Sequence, residues 1–157
     1  MSDRWVFLTA FLTVVMIVAS AFAIPQMFPL ELLKCTIFFV IVILVFFGED
    51  KFSYMLGIVA PPLWFILDIL LGGFFHDFGT LWASMTGKPL GRSETPLYAL
   101  ATLSEIALVT LSIRVWRKQV SEKFLGKTFG ICLVISLIYI GLIAGWYFHT
   151  SSTGAAR

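Results

Sequence analysis

Residues 52–75 read FSYMLGIVAPPLWFILDILLGGFF, and this stretch decides the class of the protein. A spanning α-helix needs ~20 mainly apolar residues to cross a hydrocarbon layer of ~30 Å. The stretch meets that requirement with a single charged residue, Asp68. It therefore predicts a membrane-spanning helix and leaves the position of Asp68 to be explained.

The composition of the whole chain agrees with that stretch. Of its 157 residues, 59% are hydrophobic and 13% are charged, and the mean hydropathy is +0.96. Soluble domains have about 45–50% apolar and about 25% charged residues. The sequence thus predicts an all-α integral membrane protein with one transmembrane domain over residues 1–157. The lipid bilayer is its expected partner, with other membrane subunits or further copies of the chain. The net charge of +2 is too small and too scattered to indicate nucleic acid.

Five segments are long and apolar enough to cross a membrane. They cover residues 5–24, 31–47, 52–75, 96–116 and 125–148. From Ile37 to Phe47 the second segment is apolar all round, which predicts a helix facing lipid or a partner. The pair Pro61-Pro62 predicts a break in the third helix, because two prolines remove two backbone donors.

The loop between the third and fourth spans contains a second pattern. Phe78, Leu81, Trp82 and Met85 recur at i, i+3, i+4 and i+7, which predicts one face of a short helix. Asp77 is placed to cap its start, and Gly87 to end it. A helix with such a stripe is expected to lie in the membrane interface and cover the outer end of the five-helix bundle.

Orientation follows from the placement of lysine and arginine, which accumulate on the cytoplasmic side. With five spans one face receives seven basic residues and the other receives four. This predicts a multi-pass protein of the cell (inner or plasma) membrane with a cytoplasmic N-terminus and an external C-terminus. The basic residues of the long inner segment are expected to face anionic lipid or a partner: Arg114, Arg117, Lys118, Lys123 and Lys127.

Two carboxylates, those of Asp68 and Glu105, fall inside spans. They lie ~10 Å and ~13 Å from the outer ends of two antiparallel helices, so they are expected to approach one another. Tyr98 and Thr102 share the helix face of Glu105. Lys34 enters only at the outer edge of its span, where it either snorkels outward or reaches inward. The four residues Asp68, Glu105, Tyr98 and Thr102 are candidates for a proton or cation site, and the alternative is that the acids only hydrogen-bond helices together.

Histidine offers a weaker candidate site. His76, Asp77 and His149 are predicted to share the outer face, and two histidines with an aspartate suit zinc or copper. No recognised ligand spacing accompanies them. The sequence identifies no cofactor.

Three classes of function fit these observations. The first is a non-catalytic accessory or assembly subunit of a larger membrane complex, favoured by small size and by the lack of a catalytic motif. The second is a small proton- or cation-coupled carrier that uses Asp68 and Glu105. The third is a membrane-embedded enzyme acting on lipid or quinone.

Overall fold

The computed structural model describes residues 3–23, 28–48, 50–70, 73–89, 91, 95–121 and 123–154, without the side chains of residues 3, 50 and 147–154. Six helices lie in these ranges: α1 (Asp3–Ala23), α2 (Phe28–Phe46), α3 (Asp50–Leu70), α4 (Gly73–Met85), α5 (Leu97–Gln119) and α6 (Lys127–Gly154). All but α4 are long and apolar enough to cross a membrane. The prediction of a helical protein with five candidate spans is thereby confirmed. Ile24, the expected end of the first span, lies outside the described residues.

The boundary between α3 and α4 differs from the prediction. The third span was expected to run to Phe75, but α3 ends at Leu70 and α4 already begins at Gly73. Asp77 therefore lies inside α4 and does not cap it. Apolar periodicity missed this boundary because α4 itself opens with apolar Phe74 and Phe75.

The C-terminal end of α4 follows the predicted glycine signal. Gly87 has a positive φ of 70°. Its N–H donates to the Ser84 carbonyl at 3.3 Å, and the Lys88 N–H donates to the Ala83 carbonyl at 2.9 Å. These bonds use carbonyls that the last turn of a helix leaves without partners, and glycine takes the required backbone conformation without a steric penalty.

Helix α3 is continuous through Pro61 and Pro62, so the predicted break is wrong. Proline has no N–H, so Pro61 and Pro62 cannot donate the helix hydrogen bonds that the carbonyls of Gly57 and Ile58 would otherwise accept. Neighbouring helices compensate for such losses in membrane proteins. Here α3 is the central helix, in contact with α2, α4, α5 and α6, and Pro61 is completely buried.

The other helices pack around α3. Helix α1 packs on α2 and α5, whereas α6 packs mainly on α3. Helices α3 and α5 are in close contact at Gly57, where an added Cβ would lie 2.5 Å from Ser112 Oγ. The missing side chain of Gly57 leaves room for Ser112, and small residues commonly allow such close contact between membrane helices.

Helix α6 is the most exposed of the five long helices. Only 22% of its span is buried, compared with 33% for α2. Helix α2, which was expected to face lipid or a partner, packs between α1 and α3 but keeps an exposed apolar side, with Phe39 and Phe46 53% and 74% exposed. That this side meets lipid or a partner stays a prediction. Gly141 and Gly145 lie on α6 with no atom within 4 Å of an added Cβ, so this small-residue pair makes no close helix contact within the described chain.

Candidate ion-binding site

An ion pair joins α2 to the end of α3. Lys34 Nζ lies 3.5 Å from Asp68 Oδ2, and the two side chains are 13% and 23% exposed. Lys34 thus reaches inward and does not snorkel. Charge-assisted hydrogen bonds are about 2.7–2.9 Å long, so this contact is an ion pair without a tight hydrogen bond. The two elements meet here because Lys34 lies near the start of α2 and Asp68 near the end of antiparallel α3.

Trp64 provides a second contact for the same ammonium. It precedes Asp68 by four residues on α3, which places both on one helix face. Lys34 Nζ lies 5.4 Å from the centroid of the Trp64 ring, within the ~6 Å at which a cation interacts with an aromatic face. Trp64 is only 4% exposed. Its indole N–H has no hydrogen-bond partner among the described residues.

Four carboxylates interact electrostatically with Lys34: those of Glu31, Asp68, Asp77 and Glu105. These four residues together with Lys34 are called the Lys34 cluster. Glu105 is 1% exposed and Glu31 is 7% exposed. In both residues Oε2 is buried without a hydrogen-bond partner in the described part of the chain. The structure thus places Asp68 and Glu105 close enough to interact with each other and with a shared lysine.

The charges of the Lys34 cluster do not balance. Among the described residues, four acids interact with one lysine, which gives an excess of three negative charges when all are ionised (4 − 1 = 3). An ionised carboxylate inside a membrane costs at least ~2.5–3.5 kcal/mol unless it is compensated. The cluster therefore favours the uptake of protons or cations.

The other two residues proposed for this site, Tyr98 and Thr102, differ in their positions. Tyr98 lies beside Glu31 and Ser20, at the edge of the Lys34 cluster. The buried Thr102 hydroxyl donates to the Tyr98 carbonyl at 3.1 Å, so its proton is used within α5. Tyr98 is thus adjacent to the cluster, whereas the described contact of Thr102 is to its own helix.

Helix α4 contributes Asp77 and covers this end of the bundle. The buried Thr80 hydroxyl lies 2.7 Å from the Asp77 carbonyl and 3.4 Å from the Thr95 carbonyl, just before α5. Asp77 is half-buried. Burial raises the pKa of its carboxyl group, while the nearby Lys34 lowers that pKa.

The candidate metal ligands do not form a recognisable site. His76 is exposed on α4, beside the half-buried Asp77. Among the described residues, no group of three or more histidine, cysteine, aspartate or glutamate side chains is arranged to hold a metal ion. The side chain of His149 lies outside the described part of the chain.

The basic side chains of the predicted inner segment lie at the far end of α5 from Tyr98. All of them are exposed: Arg114, Arg117, Lys118, Lys123 and Lys127. Exposed lysines and arginines are available to anionic lipid headgroups. The role assigned to them stays a prediction.

The sequence did not indicate two members of the Lys34 cluster. Glu31 was expected only as the boundary of a span, and Asp77 only as a helix cap or metal ligand. The contact of Trp64 with Lys34 was not predicted either. The available signal was the spacing. Glu31 and Lys34 are three residues apart on α2, and Trp64 and Asp68 are four apart on α3, so each pair shares a helix face.

No family model, curated protein or solved structure matches this chain. The class of the protein is therefore defined by its own fold and site. Its described residues form an all-helical fold with five candidate membrane-spanning helices and a largely buried cluster of four carboxylates around Lys34.

Proposed function

We propose that this protein is a small proton- or cation-coupled carrier that binds its coupling ion at the Lys34 cluster. The observation that carries the proposal is the excess of acids around Lys34, together with the buried, unpartnered Oε2 of Glu105. Intramembrane acids in carriers and pumps commonly serve as proton or ion sites. A chain of five candidate spans offers little room for a pathway, so the working carrier would be an oligomer.

The carrier proposal includes an orientation in the cell membrane. The N-terminus is cytoplasmic, the C-terminus is external, and the Lys34 cluster lies in the outer half beneath α4. Trp82 and Met85 are 68% and 73% exposed on α4, which supports a helix with an apolar side in the membrane interface.

Cysteine labelling tests this orientation. The two native cysteines, Cys35 and Cys132, are free and buried. Both are replaced by alanine so that the maleimide reacts only with one new cysteine, introduced at Lys88 or Ser121. In intact cells an impermeant maleimide is expected to label the Lys88→Cys variant, and the Ser121→Cys variant only after lysis. The reverse pattern would invert the proposed topology.

Ion coupling is tested with the full chain reconstituted in vesicles that contain a pH-sensitive dye. Gradients of sodium, potassium or ethylammonium are imposed, and at least one is expected to drive more proton movement than in protein-free vesicles, which neutral ethylamine crosses by itself. The Glu105→Gln and Asp68→Asn variants should lose this signal, because they remove the ionisable oxygen with little change of shape. Thr110→Val, an exposed change on the same helix as Glu105, is the control. Full proton movement in the Glu105→Gln variant would overturn the proposal.

A second function, an accessory or assembly subunit, is favoured by one observation on α6. The side of α6 that points away from the other helices exposes Ile131, Val134, Ile138 and Leu142 beside Gly141 and Gly145. Small residues four positions apart promote contact between membrane helices. If the protein is isolated from its native membrane together with a stoichiometric partner, and a Gly141→Leu variant is isolated without that partner, this function is supported. Isolation of the chain alone would argue against it. The enzyme alternative stays a prediction from the sequence.

A further inference from the structure

We propose that Trp64 and Asp68 form an ammonium-binding site which Lys34 occupies here and which admits a small primary alkylammonium ion when Lys34 moves to Glu31. This inference rests on the proposed carrier function and deepens it by naming the class of cation. It does not require transport, because binding to the site is an equilibrium property.

The geometry around Lys34 is that of a bound alkylammonium ion. The aromatic face of Trp64 lies 5.4 Å from the nitrogen, and a carboxylate oxygen of Asp68 lies 3.5 Å from it. An aromatic face together with a negative charge is a recurring means of binding organic cations. The end of a lysine side chain is itself a primary alkylammonium, so a free amine cation of similar size fits the same two contacts.

The ion pair of Lys34 with Asp68 includes no short hydrogen bond that would have to break when Lys34 moves. The separation of 3.5 Å from Asp68 is longer than a direct charge-assisted hydrogen bond. Lysine has a flexible four-carbon stem that can carry its charge toward the interface. Movement of Lys34 toward the start of α2 would free both Trp64 and Asp68.

Glu31 supplies the second position for Lys34. It lies one turn nearer the start of α2, and residues three apart on a helix are neighbours. Glu31 is 7% exposed, it already interacts electrostatically with Lys34, and its Oε2 has no hydrogen-bond partner among the described residues. A buried carboxylate oxygen without a donor is a ready acceptor for the displaced ammonium.

Charge balance favours a second cation. With Lys34 on Glu31 and a ligand on Asp68, two carboxylates are paired, and the excess of acids falls from three to two. Glu105 also interacts electrostatically with Asp68 in this structure. The entering cation is therefore attracted by more than the one carboxylate it contacts.

The test measures binding of ethylammonium to the full chain in detergent micelles by calorimetry at pH 7.5. Wild-type protein is expected to bind ethylammonium more tightly than sodium. Lys34→Met should bind ethylammonium about 10-fold or more tightly than wild type, because it removes a tethered competitor whose effective concentration is in the millimolar range. Trp64→Leu should lose the preference for ethylammonium, and the matched control Trp82→Leu should keep it.

The outcomes separate this inference from the carrier function. Equal or weaker ethylammonium binding by Lys34→Met than by wild type would overturn the exchange of Lys34. If Lys34→Met does not fold, the preference for ethylammonium over sodium is compared between wild type and Trp64→Leu, and this comparison decides whether the site exists. An unchanged preference in Trp64→Leu would overturn the site. Tight binding without proton movement in vesicles would overturn only the carrier function, whereas sodium-driven proton movement without ethylammonium binding would overturn only this inference.

Discussion

Lys34 and Asp68 lie on antiparallel helices, and their charged atoms are 3.5 Å apart at the end of the bundle that α4 covers. This relationship explains why an aspartate is found in the apolar stretch 52–75. Asp68 has a counter-ion on the preceding helix, and it belongs to a cluster in which the acids outnumber that counter-ion among the described residues. The pair therefore contributes to the packing of α2 on α3 while leaving neighbouring carboxylates uncompensated.

Removal of one partner of this pair should destabilise the protein more than removal of both. Breaking a buried ion pair on one side costs about 3–5 kcal/mol, because the other charge is left without compensation. Because Asp68 is 23% exposed, we expect Lys34→Met to lower the free energy of unfolding by about 2–3 kcal/mol. The double variant Lys34→Met/Asp68→Asn should return to within about 1 kcal/mol of wild type. Unfolding in mixed micelles measures both, and a double variant as unstable as Lys34→Met would contradict the pairing.

Substitution of Gly57 by alanine should disturb the contact between α3 and α5. The added Cβ would lie 2.5 Å from Ser112 Oγ and 3.3 Å from Ser112 Cβ, so the Ser112 hydroxyl must rotate away and the helices must give way slightly. Overpacking of this kind costs about 1–3 kcal/mol. Removal of the hydroxyl in Gly57→Ala/Ser112→Ala should recover part of that loss of stability.

The control for Gly57 is Gly130→Ala on α6, where an added Cβ meets nothing within 4 Å. Since alanine favours a helix over glycine by up to about 1 kcal/mol, this change should be neutral or stabilising. Thermal unfolding in detergent compares the two substitutions. A Gly57→Ala variant as stable as Gly130→Ala would show that the two helices separate without cost.

The sequence predicted the five long helices because each has an apolar run longer than a soluble helix needs. It also predicted the inward face of α5, since Thr102 was placed on the helix face of Glu105 and both residues are buried. It failed to predict the end of α3, because apolar Phe74 and Phe75 continue the hydrophobic run into α4. Hydrophobicity records how much of a segment is apolar, whereas a helix end depends on local backbone conformation.

The Lys34 cluster was only partly predictable for a different reason. Helical spacing places Asp68 and Glu105 on their own helices, but it does not determine how the helices rotate against one another. The direction of Lys34 depended on that rotation, since a lysine near a helix end either snorkels or reaches inward. Glu31 entered the cluster through the packing of α2 against α3, which is a property of the tertiary structure.

Asp77 should make the stability of the protein depend on pH. Burial raises the pKa of its carboxyl group in the folded protein above the ordinary value of 3.8. At pH values below 3.8 Asp77 is mostly protonated in both the folded and the unfolded protein, so its burial has no effect on stability through ionisation. As the pH rises through the interval up to the folded pKa, the unfolded chain releases the proton first, and stability is lost. Asp77→Asn should therefore raise the melting temperature relative to wild type at pH 7, with no difference near pH 3.5.

Comparison of the two proteins at each pH cancels the titration of the other carboxylates. The variant and wild type are melted in the same detergent at both pH values, and only the difference between them is interpreted. A variant less stable than wild type at pH 7 would show that attraction to Lys34 outweighs the cost of burying the Asp77 carboxylate. An equal difference at both pH values would show that the effect is not ionic.

The hydrogen bond between α1 and α5 should contribute little to stability, although it is buried. Thr13 Oγ1 and Ser104 Oγ lie 2.8 Å apart, and these hydroxyls also lie 2.9 Å and 2.7 Å from the carbonyls of Thr9 and Ala101. Two hydroxyl protons cannot make all three contacts at once.

A double-mutant cycle with Thr13→Val and Ser104→Ala measures this bond. Such cycles for bonds between membrane helices average about 0.6 kcal/mol and reach about 1.7 kcal/mol, and we expect a coupling energy near the average because the protons are shared. Thr110→Val is the control partner for Ser104→Ala, since Thr110 is exposed and donates only within α5, to the Ile106 carbonyl at 2.9 Å. Its coupling to Ser104 should stay below about 0.5 kcal/mol. A coupling between Thr13 and Ser104 no larger than that of the control would mean that apolar packing alone holds α1 against α5.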